Sequence, residues 1–370
     1  MKIVLTGGGT GGHLFPLVAV SNFLREKYFD DKIDFVFYGP RGKMEKDIMQ
    51  KNNIKQRHIA SGKLRRYFSW QYLIDAVKFP FGLLQTMLWL LIDMPDVVFA
   101  KGGYASVPVV LVAWVYRIPI LIHESDAQPG MANQFIANFA KKVAISFERA
   151  KIHLPASKII VTGTPVSERV LSGNAEEARR ILGMKKDAKP VVLILGGSQG
   201  ARLINRQILK MLKPLLSEFQ VIHQTGQSNY KEVVAEAQRK GFKIGASDYY
   251  PVAFMDEEIK HFFALADVVI SRAGSTSISE IAANAKPAIL VPITHSANNH
   301  QRLNAFEVAR LGGAIVLEEN NFKTSLIMLR LRQLTQDGEI RERIIQGVKQ
   351  FYNPQATELI ANELIRLVEK

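Results

Sequence analysis

The feature that most constrains this chain is a rhythm. Short runs rich in β-branched and aromatic residues (KIVLT, DFVFYG, DVVFAKGG, PILIHES and KVAISF) alternate with longer amphipathic segments through the first half. The second half restarts the alternation with PVVLILGGSQG, QVIHQTG, YYPVAFM, DVVISRAG, PAILVPI and GAIVLE. Near-continuous apolar strands separated by helices belong to parallel sheets covered on both faces. The expected fold is α/β: two Rossmann-like, doubly wound domains facing each other across a cleft. With 370 residues, 47% of them hydrophobic, the chain is long and apolar enough for two cores. The polar segment from Ser172 to Pro190 separates the halves, and the hinge is expected to start at Gly163. Residues 1–163 then form a first domain and 164–349 a second. Residues 350–370 break at Pro354, continue as an amphipathic helix, and are expected to return to the first domain.

Glycine punctuates the rhythm. Between the first strand and the first helix stand six residues, Gly7 to Gly12, of which five are glycine, and His13 ends the loop. Bare backbone N–H groups and a helix N-terminus at the carboxyl edge of a parallel sheet suit a phosphate. Gly7, Gly9 and Gly12 fit G-x-G-x-x-G, but KIDFVFYGP ends on no acidic residue for a nicotinamide ribose, and no P-loop lysine follows. Dinucleotide and Walker readings both fall. Two further loops, KGGYAS (Lys101 to Ser106) and GGSQGA (Gly196 to Ala201), repeat the arrangement; the plain alternative is that all three only permit tight turns. In VVISRAGSTSISEIAA a strand meets Gly274 and a hydroxyl-rich helix start. Ser277 and Glu280 there fit a capping box, and the hydroxyls, N–H groups and carboxylate fit a site for diphosphate and ribose; the two readings are compatible.

Composition narrows the partners. Lys and Arg number 48 against 34 Asp and Glu, a formal charge of +14, which favours nucleic acid, an anionic membrane or a phosphorylated substrate. The basic residues are scattered without an aromatic-basic repeat, which speaks against nucleic acid. There is no cysteine, so thiol metal sites and disulfides are excluded, and MKIVLTGGG reads as a mature cytosolic start. The stretch from Phe68 to Ile92 is dense in Leu, Phe and Trp, yet after Pro80 it is too short for the roughly 20 residues of a membrane span. With Arg65, Arg66 and Lys78 at its border, and Trp114 and Arg117 able to join, it has the make-up of an interfacial surface; Phe81, Leu84 and Trp89 would insert. A buried helix is the alternative.

Taken in order, GGTGGH, KGGYAS, HES with PGMAN, GGSQGA, RAGSTSISE and HQRLNA resemble the MurG family, bacterial peptidoglycan N-acetylglucosaminyltransferases of the metal-independent GT-B fold. The resemblance implies inverting transfer of N-acetylglucosamine from UDP-N-acetylglucosamine to the C4 hydroxyl of N-acetylmuramoyl-pentapeptide on diphosphoryl-undecaprenol, lipid I to lipid II. It implies no cofactor and no metal, and a peripheral position on the anionic cytoplasmic face of the membrane. By the family's motifs, Thr10, Gly11 and Gly12 meet donor and acceptor, Ser198 contacts the donor, and Met255 offers its backbone to uracil. Ser275, Thr276, Ser277 and Glu280 hold diphosphate and ribose, and Gln301 binds the transferred sugar. Two positions depart: Asp126 stands where some relatives have an Asn that touches the donor, and Ser167 where the family often shows Arg, with Arg169 two residues on. For the base, His13 stands at the loop mouth, and the unperturbed pKa of a histidine suits proton traffic near neutrality; alternatively it caps and orients the loop. His123 and Glu124 are rivals, Glu124 equally as an orienting group.

Overall fold

The computed structural model describes residues 1–9, 11–28, 32–62, 71–196, 201–294, 296 and 299–369, with the backbone alone over 71–77. It divides into two compact units, Met1–Ser167 with Pro354–Lys370, and Glu168–Asn353.

The first unit runs β1 (Lys2–Thr6), α1 (Gly11–Lys27), β2 (Asp34–Gly39), α2 (Lys43–Lys51), β3 (Lys55–His58), α3 (Gln71–Asp93), β4 (Val97–Ala100), α4 (Ser106–Val115), β5 (Ile120–Glu124), α5 (Met131–Ile136), β6 (Lys142–Ile145) and β7 (Ile159–Val161). The second runs α6 (Ala175–Leu182), β8 (Val191–Leu195), α7 (Arg202–Glu218), β9 (Gln220–Gln224), α8 (Tyr230–Arg239), β10 (Tyr249–Val252), α9 (Ile259–Leu265), β11 (Val268–Ser271), α10 (Ser275–Ala283), β12 (Ala288–Leu290), α11 (His300–Arg310), β13 (Ile315–Val316), α12 (Thr324–Gln336) and α13 (Gly338–Phe351). The last helix, α14 (Ala356–Val368), belongs to the first unit.

Both sheets are parallel throughout their described strands, in the orders β3-β2-β1-β4-β5-β6-β7 and β10-β9-β8-β11-β12-β13. The apolar runs are near-continuous because both faces of each sheet are covered. In the first sheet Val4, Val98, Ile122 and Ile145 face a core shared with Val109 and Val110 of α4 and Ile136 of α5. Their neighbours Ile3, Leu5, Phe99 and Leu121 face the opposite core, with Leu14, Leu17 and Val18 of α1. Into that second core α14 inserts Ile360, Ala361, Leu364 and Leu367. Fully burying each Ile or Leu contributes about 1.5 to 3 kcal/mol.

Strand order reverses between β1 and β4 in one unit, and between β8 and β11 in the other. Such switch points are where open α/β sheets bind ligands, because adjacent loops diverge to opposite faces and leave a crevice. The four loops that carry GGTGGH, KGGYAS, GGSQGA and RAGSTSISE follow these four strands.

Candidate active site

At the first switch point the loop after β1 needs its glycines. Gly8 and Gly9 take φ of +144° and +92°, in the region L side chains avoid, and a Cβ on Gly8 would lie 2.8 Å from Pro40 Cδ. Gly9 donates its N–H to Glu45 Oε1 at 3.0 Å, a loop anchor that no motif had marked. His13 Nδ1 lies 2.7 Å from the Gly8 carbonyl. A carbonyl only accepts, so Nδ1 carries the proton and the neutral ring keeps its lone pair on Nε2. The histidine thus orients the loop. Gly11 and Gly12 open α1, whose first turn holds no acidic residue; Thr10 lies outside the described residues.

KGGYAS folds against this loop. Gly102 and Gly103 take φ of +97° and +81°. A Cβ on Gly102 would fall 2.1 Å from Asn133 Oδ1, and one on Gly103 would stand 3.5 Å from His13 Cε1. Lys101 is 1% exposed and its Nζ has no hydrogen-bond partner. Burial lowers its pKa to about 8, against the raising pull of Glu124 and Asp126.

Glu124 is buried and accepts three hydrogen bonds. Its Oε1 accepts the Asp126 N–H at 2.8 Å, while Oε2 accepts from Gly130 N at 3.1 Å and Asn133 Nδ2 at 2.8 Å. Burial and the Asp126 charge push its carboxyl up. These bonds tie the carboxylate to the HES-to-PGMAN loop, in keeping with its orienting alternative. His123 is held in a similar way. It is wholly buried, its Nε2 meets the Gly163 carbonyl at 3.0 Å and Ser146 Oγ at 3.2 Å, and burial pushes its pKa well down.

In the second unit α10 begins at Ser275 behind Gly274, which supplies no side-chain cap. Ser277 is therefore the third helical residue and Glu280 the sixth, so the capping box is not formed. Glu280 instead sits in the second turn, buried, with Oε1 3.2 Å from Arg169 Nη2. Burial raises its pKa and Arg169 opposes the rise. Ser275 is buried, and Thr276 and Ser277 are half-buried. Met255, in the loop after β10, packs its side chain inward at 2% exposure. Gln301, on α11, accepts the Ile293 N–H at 3.2 Å through Oε1, leaving its amide N–H groups as donors. Ser198 lies outside the described residues, and Ser167 is half-buried at the end of the first unit.

The apolar stretch is one helix, α3, running through Pro80, although Phe68 to Trp70, Arg65 and Arg66 lie outside the described residues. Phe81 (57% exposed), Leu84 (63%), Leu88 (55%) and Leu91 (60%) share one stripe; Met94, just past the helix, and Trp114 and Val115, at the end of α4, are exposed as well. Trp89 is the exception among the expected inserting residues. Arg57 stacks on its ring at 4.1 Å and the ring packs against the core, so it is not an exposed side chain. Beside it Asp93 is buried under Tyr38 Oη at 2.8 Å and Arg57 Nε and Nη2 at 3.1 and 3.0 Å. No helix among the described residues is long and apolar enough to cross a membrane.

Residues 3–145 match the Glycosyltransferase family 28 N-terminal domain and residues 191–354 the Glycosyltransferase family 28 C-terminal domain. Two parallel α/β units with glycine loops at both switch points, matched to both halves of one family, define a two-domain glycosyltransferase. Over 98% of its length the chain is 36% identical to UDP-N-acetylglucosamine--N-acetylmuramyl-(pentapeptide) pyrophosphoryl-undecaprenol N-acetylglucosamine transferase 2 of Bacillus thuringiensis subsp. konkukian, covering 99% of that protein. It is 35% identical over its whole length to the transferase of that name from Clostridium kluyveri, again covering 99%. The chain belongs to the MurG family. The crystal structure of MurG from Acinetobacter baumannii shares the fold, with a TM-score of 0.74 at 24% identity over 99% of both chains.

Proposed function

We propose that this protein moves N-acetylglucosamine from UDP-N-acetylglucosamine to the C4 hydroxyl of undecaprenyl-diphospho-N-acetylmuramoyl-pentapeptide, with inversion, in peptidoglycan synthesis. The observation that carries the reading is the full-length kinship to transferases of that name. The first unit takes the lipid-linked acceptor and the second the sugar nucleotide. The acceptor oxygen bonds to the anomeric carbon as the bond from that carbon to the diphosphate oxygen breaks. The electron pair leaves with UDP, and the hydroxyl proton passes to His13 Nε2. Charge growing on the diphosphate is met by backbone N–H groups and hydroxyls at the start of α10. Glu280 takes ribose hydroxyls, the Met255 backbone takes uracil, and Gln301 takes the transferred sugar. The exposed stripe of α3, with Trp114, docks the enzyme peripherally on the anionic cytoplasmic face of the membrane, where the acceptor resides.

Transfer of labelled N-acetylglucosamine to a lipid I analogue, with and without EDTA, tests this. Product is expected in both; activity abolished by EDTA and restored by Mg²⁺ would contradict the assignment of charge neutralisation to backbone groups. His13→Ala is expected to lower turnover by about a hundredfold to ten-thousandfold, with UDP affinity unchanged. Near-normal turnover would remove the histidine from the chemistry.

A further inference from the structure

We infer that Arg169 is a positioning residue of the nucleotide site, one guanidinium that spaces the loop bearing Met255 from the helix bearing Glu280. The inference rests on the reading that the second unit holds a uridine nucleotide. Arg169 lies in a short 3₁₀ turn, Glu168–Val170, where the second unit begins. Its Nη2 is 3.2 Å from Glu280 Oε1 and its Nη1 3.7 Å from Asp256 Oδ1, with the Arg169 and Glu280 side chains 15% and 10% exposed. Asp256 follows Met255 directly in sequence. The planar fork of an arginine can engage two carboxylates at fixed separation, as a lysine cannot.

The turn that carries Arg169 is itself fastened. Asn284, which ends α10, donates Nδ2 to the Val170 carbonyl at 3.0 Å and to the Glu280 carbonyl at 2.9 Å. A Cβ on Gly173 would overlap the Lys260 carbonyl of α9, and the Asn174 N–H meets His261 Nδ1 at 3.0 Å. Backbone and side chain alike therefore tie residues 169–174 to the helices around the site. The guanidinium occupies only Oε1 of Glu280, so Oε2 remains as an acceptor. It also opposes the effect of burial on that carboxyl: Arg169 is the charged group acting on Glu280, and Asp256 faces Arg169 from its other side. An ionised carboxylate accepts two hydroxyl hydrogen bonds, whereas a protonated one gives up part of that capacity.

UDP calorimetry between pH 5 and 8, with donor and acceptor KM, tests the inference on the full chain. Glu280→Gln is expected to weaken UDP about tenfold or more through the lost charge-assisted bond. Arg169→Met should weaken UDP by a similar factor and raise donor KM in parallel, leaving acceptor KM unchanged. It should also move the acid limb of UDP binding to higher pH, because Glu280 protonates more readily without its counter-charge. Arg169→Lys keeps the charge without the fork, so it should restore the acid limb and recover affinity only in part. If Glu280→Gln weakens UDP while Arg169→Met matches wild type in affinity and acid limb, the positioning role is overturned and the nucleotide reading stands. Wild-type UDP affinity in a folded Glu280→Gln protein overturns the nucleotide reading itself. Should Arg169→Met not fold, wild-type affinity in Arg169→Lys overturns the positioning role by itself, and reduced affinity with an unmoved acid limb supports it.

Discussion

Lys101 keeps its ammonium where water does not reach, in a loop whose other members are glycine, tyrosine, alanine and serine. Burial leaves its pKa at about 8, whereas an unfolded lysine titrates at about 10.4. Between those values the unfolded chain still holds a proton that the folded chain has released, so stability rises with pH across that window. Below it both states are charged and the penalty is constant. The first unit is expected to gain up to ~3 kcal/mol from this residue over about pH 8 to 10.5, and Lys101→Met should abolish the gain. Denaturant midpoints at pH 7.5 and 9.5 check this; an identical pH response in both proteins would sink it. KGGYAS is legible in sequence as a glycine loop because only glycine meets the backbone demand at Gly102 and Gly103. The burial of Lys101 is not legible, since it depends on packing between segments distant in the chain. Glu124 shows the same limit. Its position at a strand end advertises chemistry, and only the three loop donors around it reveal a structural task.

Among the elements, α3 departs furthest from its appearance in sequence. Asp75, Lys78, Pro80, Gly82 and Gln85 look like interruptions of an apolar run, yet the helix is continuous. Pro80 forgoes one rung of hydrogen bonding. Gly82 and Gln85 turn out to be docking points: a Cβ on Gly82 would overlap the Ala60 carbonyl, and Gln85 Oε1 accepts the Ala60 N–H at 2.8 Å. Gly82→Ala is expected to push the helix from the segment after β3 and destabilise the first unit by about 1 to 3 kcal/mol, as overpacking does. Leu88→Ala, on the exposed stripe, should change stability by less than about 0.5 kcal/mol. Thermal unfolding of the pair decides the matter, and equal shifts would refute the docking role. Helix ends are hard to place from sequence for a similar reason. Gly274, extended at φ −69° and ψ 138°, starts α10 before Ser277 can act as a cap, and one such displacement turns a capping glutamate into an arginine's partner.

At the scale of the molecule, charge and apolar surface make separate contributions to the proposed membrane docking. A net +14 attracts the chain to anionic lipid, with each cation near the surface worth about 1 kcal/mol. That attraction is screened by salt, whereas inserted leucine and phenylalanine are not. Vesicle co-sedimentation should rise with anionic lipid content and fall only partly in high salt. No recovery on either kind of vesicle would remove α3 from the membrane, and equal recovery on neutral and anionic vesicles would remove the contribution of charge. The parallel two-unit architecture is readable in the alternation of strands and helices, because a sheet buried on both faces leaves no other pattern. The strand orders that place the motif loops at the switch points are not, because pairing between distant strands leaves no periodic trace in the chain.

The chain leaves the first unit after Ser167 and re-enters it at Pro354. A ribosome adds about 5 to 20 residues per second, so the nascent α1 waits on the order of ten seconds or more before Ile360 and Leu364 emerge to cover its apolar face. The half made first is the half finished last. A message cut short before α14 would yield a complete second unit attached to a first unit with an open, sticky flank, a species for chaperones and proteases to sort. The helix α14 thus closes the first unit only after the whole of the second has been made.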